Sequence, residues 1–253
     1  MNALSEIKAV IFDIDGTAIM NKPGSQPSER VVEAVGRAQA KGIRVACATG
    51  RNALLAKRII TPLGVKDYCI VSAGTEIINP QDDSQVWSIP MSEESCAFAL
   101  SVLAPYDLKV IMDGETRDTA RTAGEITPGP HKMLDVQAVL KKDLPSILRE
   151  LAKDESIAAI PVVSSNPDAD FLHITDNLAT KEHAVVELIN RWGIDKTATA
   201  GVGDGLNDLE LFKSVGVKVA MGNAVPELKQ AADIIVDSVE DDGLAKYLDR
   251  VSS

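Results

Sequence analysis

Short apolar runs rich in β-branched residues recur along this chain, and each stops at a polar cluster before a stretch of helical periodicity begins. Lys8 to Phe12 ends at Asp13-Ile14-Asp15-Gly16-Thr17, Ile43 to Ala48 at Thr49-Gly50-Arg51, and Tyr68 to Val71 at Ser72. Between the first two runs, Ser28 is placed to cap a helix whose apolar residues Val31, Ala34, Val35 and Ala38 fall at i, i+3, i+4 and i+7, with Gly42 as its stop. Apolar runs without alternation are buried on both faces, so strands of this kind separated by amphipathic helices predict a parallel sheet covered on both sides. The pattern returns towards the C-terminus. A helix carrying Val185, Leu188, Ile189 and Trp192 precedes strands at Thr197 to Val202, Val217 to Met221 and Asp233 to Val236, and Pro226 suits a first helical position.

The texture differs in the middle. Strands are expected at Val86 to Ile89, Lys109 to Met112, Ile157 to Val163 and Phe171 to Thr175, with helices at about Glu93 to Leu103 and Asp143 to Lys153. The expected organisation is therefore α/β: a Rossmann-like parallel-sheet core formed by residues 1–83 and 176–253, with an α/β cap domain inserted at residues 84–175.

Composition narrows the function. Lys plus Arg number 26 against 37 Asp plus Glu, a net charge of −11, so the chain is not expected to grip nucleic acid or an anionic membrane by bulk charge. Nine aromatic residues offer no stacking surface for bases. Three widely spaced cysteines encode neither a disulfide framework nor a zinc finger, the N-terminus lacks signal-peptide character, and no apolar run is long enough to span a bilayer. A cytoplasmic protein with no membrane partner is expected. With only three histidines, any bound metal would need hard oxygen ligands.

The reactive residues cluster where an open parallel sheet binds ligands, beyond the carboxyl ends of its strands. Asp13 and Asp15 follow the first strand, Thr49-Gly50 the second, and Gly203-Asp204-Gly205-Leu206-Asn207-Asp208 the strand beginning near Thr197. Carboxylates converging there repel by about 4 kcal/mol per pair at about 4 Å in an effective dielectric near 20, so they must take up protons or a cation. Oxygen ligands make Mg²⁺ the simplest cation, and beside it an aspartate can act as nucleophile in phosphoryl transfer while a second carboxylate handles protons. Asp13 and Asp15 are placed to divide that work, with Thr49 and the Gly50 N–H as donors to the transferring group. Lys181, in the first turn of a helix, reads by itself as a solvated surface lysine, and faces an anion only if one is bound there. Cys47, inside an apolar strand, reads as an inert core thiol.

Together, Asp13-Ile14-Asp15-Gly16-Thr17, Thr49-Gly50-Arg51, Lys181 and Gly203-Asp204-Gly205-Leu206-Asn207-Asp208 resemble, in type and order, the four motifs of the haloacid dehalogenase-like hydrolase superfamily. The ending Ala220-Met221-Gly222-Asn223-Ala224, with Pro226 to Lys229 and Ala232-Asp233, is similar to its Cof-type phosphatases, which carry a type IIB cap. The resemblance implies that Asp13 is the nucleophile and a Mg²⁺ ligand, Asp15 the acid/base and a ligand through its carbonyl, and Asp204 a further ligand. It also implies that Thr49, Gly50, Lys181 and Asn207 hold the phosphoryl group and that Asp208 supports the metal. Two departures stand out: Ala73-Gly74-Thr75 replaces the usual Asn-Gly-Ala, and Glu182 replaces the glycine after the motif lysine.

The expected activity is a phosphoric monoester hydrolase acting on a small phosphorylated molecule, of sugar phosphate or phosphoglycolate type. Alternatives are a phosphomutase of the same superfamily, which has a longer spacing in its fourth motif, and a phospho-accepting regulatory module, which is much shorter and has no cap. The cap is expected to select the substrate, with Arg117, Arg121 and Lys132, in the polar stretch from Asp113 to Lys132, as candidate contacts.

Overall fold

A computed structural model describes residues 7–113, 115, 117–164 and 166–253. Residues 1–6, Gly114 and Thr116 of the polar cap stretch, and Ser165 lie outside the described residues, as does the side chain of Arg117. In chain order the N-terminal elements are β1 (Ala9–Phe12), α1 (Glu29–Ala40), β2 (Arg44–Cys47), α2 (Ala53–Leu63), β3 (Cys69–Val71), β4 (Glu76–Ile78) and β5 (Gln85–Ser88). Then follow α3 (Glu93–Leu103), β6 (Lys109–Met112), β7 (Arg121–Thr122), β8 (Leu134–Leu140), α4 (Leu144–Leu151), β9 (Ile157–Val162) and β10 (Ala169–Asp176). The C-terminal elements are α5 (Lys181–Trp192), β11 (Thr199–Gly203), α6 (Asp208–Lys213), β12 (Val217–Ala220), α7 (Pro226–Ala231), β13 (Ile234–Ile235) and α8 (Gly243–Val251). The chain divides into two compact units, Met1–Val86 with Lys181–Ser253, and Trp87–Thr180.

The first unit is built on a parallel sheet ordered β13-β12-β11-β1-β2. β1 lies in its interior and all four of its residues are buried, as its unbroken apolar run requires. Ser28 caps α1 by accepting from the Val31 N–H, and the helix buries Val31, Ala34, Val35 and Ala38. Asn52 caps α2 in the same way, and α2 buries Ala56, Ile59, Ile60 and Leu63. Each fully buried Val or Ile side chain contributes about 1.5–3 kcal/mol, which is what anchors these helices to the sheet. The run expected at Tyr68 to Val71 forms β3, which meets the parallel sheet at an isolated parallel Ala48–Ile70 bridge and pairs antiparallel with β4. The strand expected from Thr197 starts later. Asp195 accepts from both the N–H and the hydroxyl of Thr197 and winds Lys196–Ala198 into a 3₁₀ turn.

The second unit holds an antiparallel sheet ordered β7-β6-β8-β10-β9, with α3 and α4 burying Cys96, Ala99, Leu100, Leu103, Ile147 and Leu151 in its core. Its longest unforeseen strand is β8. Ala138 there has φ 52°, and the pairing with β10 shifts register between Asp170 and Leu172. Buried positions consequently run Leu134, Val136, then Val139, and this bulge breaks the two-residue period by which a strand is recognised.

Candidate active site

Sheet register brings the motif residues to one edge. The Asp13 N–H donates to the Val202 carbonyl at 2.9 Å, the Ala48 N–H to Phe12 at 2.8 Å and the Met221 N–H to Gly203 at 2.9 Å. The carboxyl ends of β1, β2, β11 and β12 are therefore level, and Asp13, Thr49, Asp204 and Asn223 all follow from them. The turn after β1 closes on itself, with the Gly16 N–H donating to Ile19 at 2.8 Å and the Ala18 N–H to Ile14 at 2.9 Å. Gly16 has φ +83°, and a Cβ there would lie 2.1 Å from Asp204 Oδ2, so both conformation and space demand glycine.

Lys181 is not a surface lysine. It is 2 % exposed, and its Nζ donates to Asp13 Oδ1 and Asp208 Oδ1, both at 2.8 Å. Burial works against its ammonium, yet the two carboxylates outweigh this and hold its pKa above the ordinary value. Asp208 is spoken for on both oxygens, because Oδ2 accepts the N–H groups of Asp204 and Gly205, each at 3.0 Å. Thr17 Oγ1 donates to Asp204 Oδ1 at 3.0 Å.

Three carboxylates thus gather about one buried ammonium, which bonds two of them, Asp13 and Asp208. Burial, reinforced by Asp208 and Asp204 and only partly opposed by Lys181, pushes Asp13 well above the usual carboxylate range. Burial and Asp208 push Asp204 up to about 7. Oxygens of Asp13, Asp204 and Asp208 all lie within 4.8 Å of one another. This excess of hard oxygen donors over positive charge fits a divalent metal ion. Asp208 has both oxygens engaged, whereas Asp13 meets Lys181 through Oδ1.

Asp15 faces elsewhere. Arg51 grips it with a two-pronged fork, Nε to Oδ2 at 2.7 Å and an Nη to Oδ1 at 2.6 Å, and Asp15 in turn raises the guanidinium's pKa. Thr49 is buried, with its Oγ1 accepting the Arg51 N–H at 3.1 Å. Its loop is braced by the turn after β3, where the Ser72 N–H donates to Arg51 at 2.7 Å and the Ala73 N–H to Thr49 at 3.1 Å. Gly50 lies within that loop, and Asn207 immediately precedes α6. Cys47 is a buried thiol whose pKa is pushed up by burial and by Cys69. The roles of Arg51 and Thr17 as partners of Asp15 and Asp204 had no sequence signal beyond their place in the motifs.

Sequence comparison matches residues 10–122 and 123–248 to the family of haloacid dehalogenase-like hydrolases. The chain belongs to this family. It is 30% identical over 257 residues to YkrA of Bacillus subtilis (strain 168), named as a proposed phosphatase, covering 94% of this chain and 95% of that protein. It is 27% identical to a phosphoglycolate phosphatase of Methanopyrus kandleri, covering 94% of each. Among solved structures, a HAD subclass IIB sugar phosphatase, BT4131, superposes with a TM-score of 0.79 at 19% identity, covering 96% of this chain and 98% of the other. The chain is a Cof-type member of this family and a phosphoric monoester hydrolase. Among the described residues, no helix is long and apolar enough to cross a membrane.

Proposed function

We propose that the chain is a Mg²⁺-dependent phosphatase that hydrolyses a small phosphomonoester, of sugar phosphate or phosphoglycolate type, through an aspartyl-phosphate formed on Asp13. The observation that carries this reading is the buried Lys181 ammonium clamped between Asp13 and Asp208, beside a third carboxylate, Asp204. Asp13, the Asp15 carbonyl and Asp204 would hold Mg²⁺, with Asp208 supporting them through the Asp204 and Gly205 amides. The ion would supply the positive charge that lets a carboxylate approach a phosphoryl dianion.

Lys181, engaged with Asp13 Oδ1, orients the nucleophile and adds a fixed cation at the phosphoryl group. A carboxylate oxygen of Asp13 forms the new bond to phosphorus as the bond to the leaving oxygen breaks, and Asp15 gives that oxygen its proton. Asp15 then takes a proton from the water that attacks phosphorus, which releases inorganic phosphate and restores the Asp13 carboxylate. Arg51 must yield at least one oxygen of Asp15 for this proton to pass. Thr49, the Gly50 N–H and Asn207 complete the donors to the phosphoryl oxygens. Substrate choice is assigned to the cap, with Arg117, Arg121 and Lys132 as candidate contacts.

The test is a panel of sugar phosphates and phosphoglycolate assayed with Mg²⁺ and with a chelator, for wild type and Asp13→Asn. Release of inorganic phosphate that needs both Mg²⁺ and Asp13 is expected. Isomerised substrate without phosphate release would favour a phosphomutase, and a stable phosphoenzyme without turnover a regulatory module.

A further inference from the structure

Asn223 has no part in the chemistry above, yet its side chain ties together separate stretches of the chain. Its Nδ2 donates to the Gly16 carbonyl at 2.8 Å and approaches Asp204 Oδ2 at 3.5 Å, while its Oδ1 accepts from the Val239 N–H at 2.9 Å. The backbone carrying it is held firmly. The Gly222 N–H donates to Asp237 at 3.1 Å, the Ala224 N–H donates to Met221 at 2.9 Å, and a Cβ on Gly222 would lie 2.7 Å from the Ser238 nitrogen. Asn223 is thus a fixed strut from the β12 and β13 ends of the sheet to the turn after β1.

That turn is the wall against which Asp204 rests. Gly16 touches the carboxylate so closely that a Cβ would meet Oδ2 at 2.1 Å, and Thr17 holds Oδ1 at 3.0 Å from its hydroxyl. Pinning the Gly16 carbonyl therefore fixes both the wall and the Thr17 donor. The side-chain donors to Asp204, the Thr17 hydroxyl and the Asn223 amide, are neutral, unlike the ammonium on Asp208, so they orient the carboxylate while leaving its charge available to a cation. A ligand oriented before the metal arrives loses less freedom on binding, and partners that orient ligands commonly carry a tenfold or larger share of affinity.

We infer that Asn223 is a positioning residue for metal binding, bracing the Gly16-Thr17 turn so that Asp204 is presented to Mg²⁺. The inference rests on the proposal that Asp204 is a metal ligand. Its test is titration of the metal-free full chain with MgCl₂ by calorimetry, alongside the Mg²⁺ dependence of turnover. Asn223→Ala should weaken Mg²⁺ binding by about tenfold or more, and its loss of activity should be larger at limiting than at saturating Mg²⁺. Thr17→Val should act in the same direction and Thr17→Ser, which keeps the hydroxyl, should recover most of the affinity. If folded Asn223→Ala binds Mg²⁺ within about twofold of wild type, the inference is wrong. Should Asn223→Ala fail to fold by circular dichroism, the Thr17 pair decides, and equal affinities for Val and Ser overturn it. Wild type that binds no Mg²⁺ would overturn the metal reading as well, whereas wild type that binds alongside unaffected variants overturns this inference alone.

Discussion

Lys181 and Asp13 sit in one hydrogen bond at 2.8 Å, yet their removal should move stability in opposite directions. Lys181→Met leaves Asp13 and Asp208 buried without their cation, and breaking a buried pair from one side costs about 3–5 kcal/mol. Urea denaturation should register that loss, with activity abolished. Asp13→Asn takes one charge from a cluster that already has too many, and burial already pushes this carboxyl towards its neutral form. Melting in chelator at pH 8 should place this variant at or above wild type, while phosphate release, which starts from uncatalysed reactions accelerated up to about 10²¹-fold, becomes undetectable. A lower melting temperature for Asp13→Asn would contradict the charge excess described here. At this scale the motif residues were legible as types and spacings. Lys181 was not legible by itself, because a first-turn lysine is exposed unless something distant buries it. The Arg51 fork on Asp15 joins positions separated by 36 residues, and local pattern carries no information about such a pair.

Whole elements place these side chains. α5 begins at Lys181, and the pKa of Glu210 of α6 is pushed up by burial and opposed in part by the Lys181 backbone N–H it faces. Glu210→Ala should cost about 1 kcal/mol, as loss of a helix-terminal acceptor does, and should lower kcat more than it changes KM. Glu210→Gln restores an acceptor and should recover most of both, and equal behaviour of Ala and Gln would remove this role. The turn following β3 is a second device. Ser72 and Ala73 have φ of 52° and 58°, a left-handed conformation that costs a non-glycine residue roughly 1–2 kcal/mol, and their N–H groups brace the Thr49 loop. α1 was well read because its cap, Ser28, is a local signal. β8 was missed because its bulge at Ala138 shifts the alternation, and the antiparallel pairing of β3 with β4 was not read because an apolar run does not say which strand it will meet.

For the molecule as a whole, the charge of −11 includes a buried group of acids that a cation would relieve. Asp204 has a folded pKa of about 7, above its unfolded value of 3.8, so its contribution to metal-free stability is complete below about pH 4 and is lost as pH rises through 7. Mg²⁺ competes with that proton. Binding should weaken as pH falls below 7, by up to about tenfold per unit for one displaced proton. Mg²⁺ at about one hundred times its Kd stabilises by about 2.7 kcal/mol. Melting curves with and without chelator should therefore separate more at pH 8 than at pH 6. A gap independent of pH would mean that Asp204 does not exchange its proton for the ion.

The sequence by itself determined the α/β class, the family and the order of the four motifs, because these reside in local periodicity, caps and short runs of chemically distinctive residues. Only the tertiary structure decided how the charges pair: Lys181 with Asp13 and Asp208, Arg51 with Asp15, Thr17 and Asn223 around Asp204. Those pairings depend on parallel register, which sets Phe12 beside Val202 and Cys47 and so brings distant segments level at one sheet edge. Register is a property of strands meeting across the fold, and no spacing along the chain encodes it.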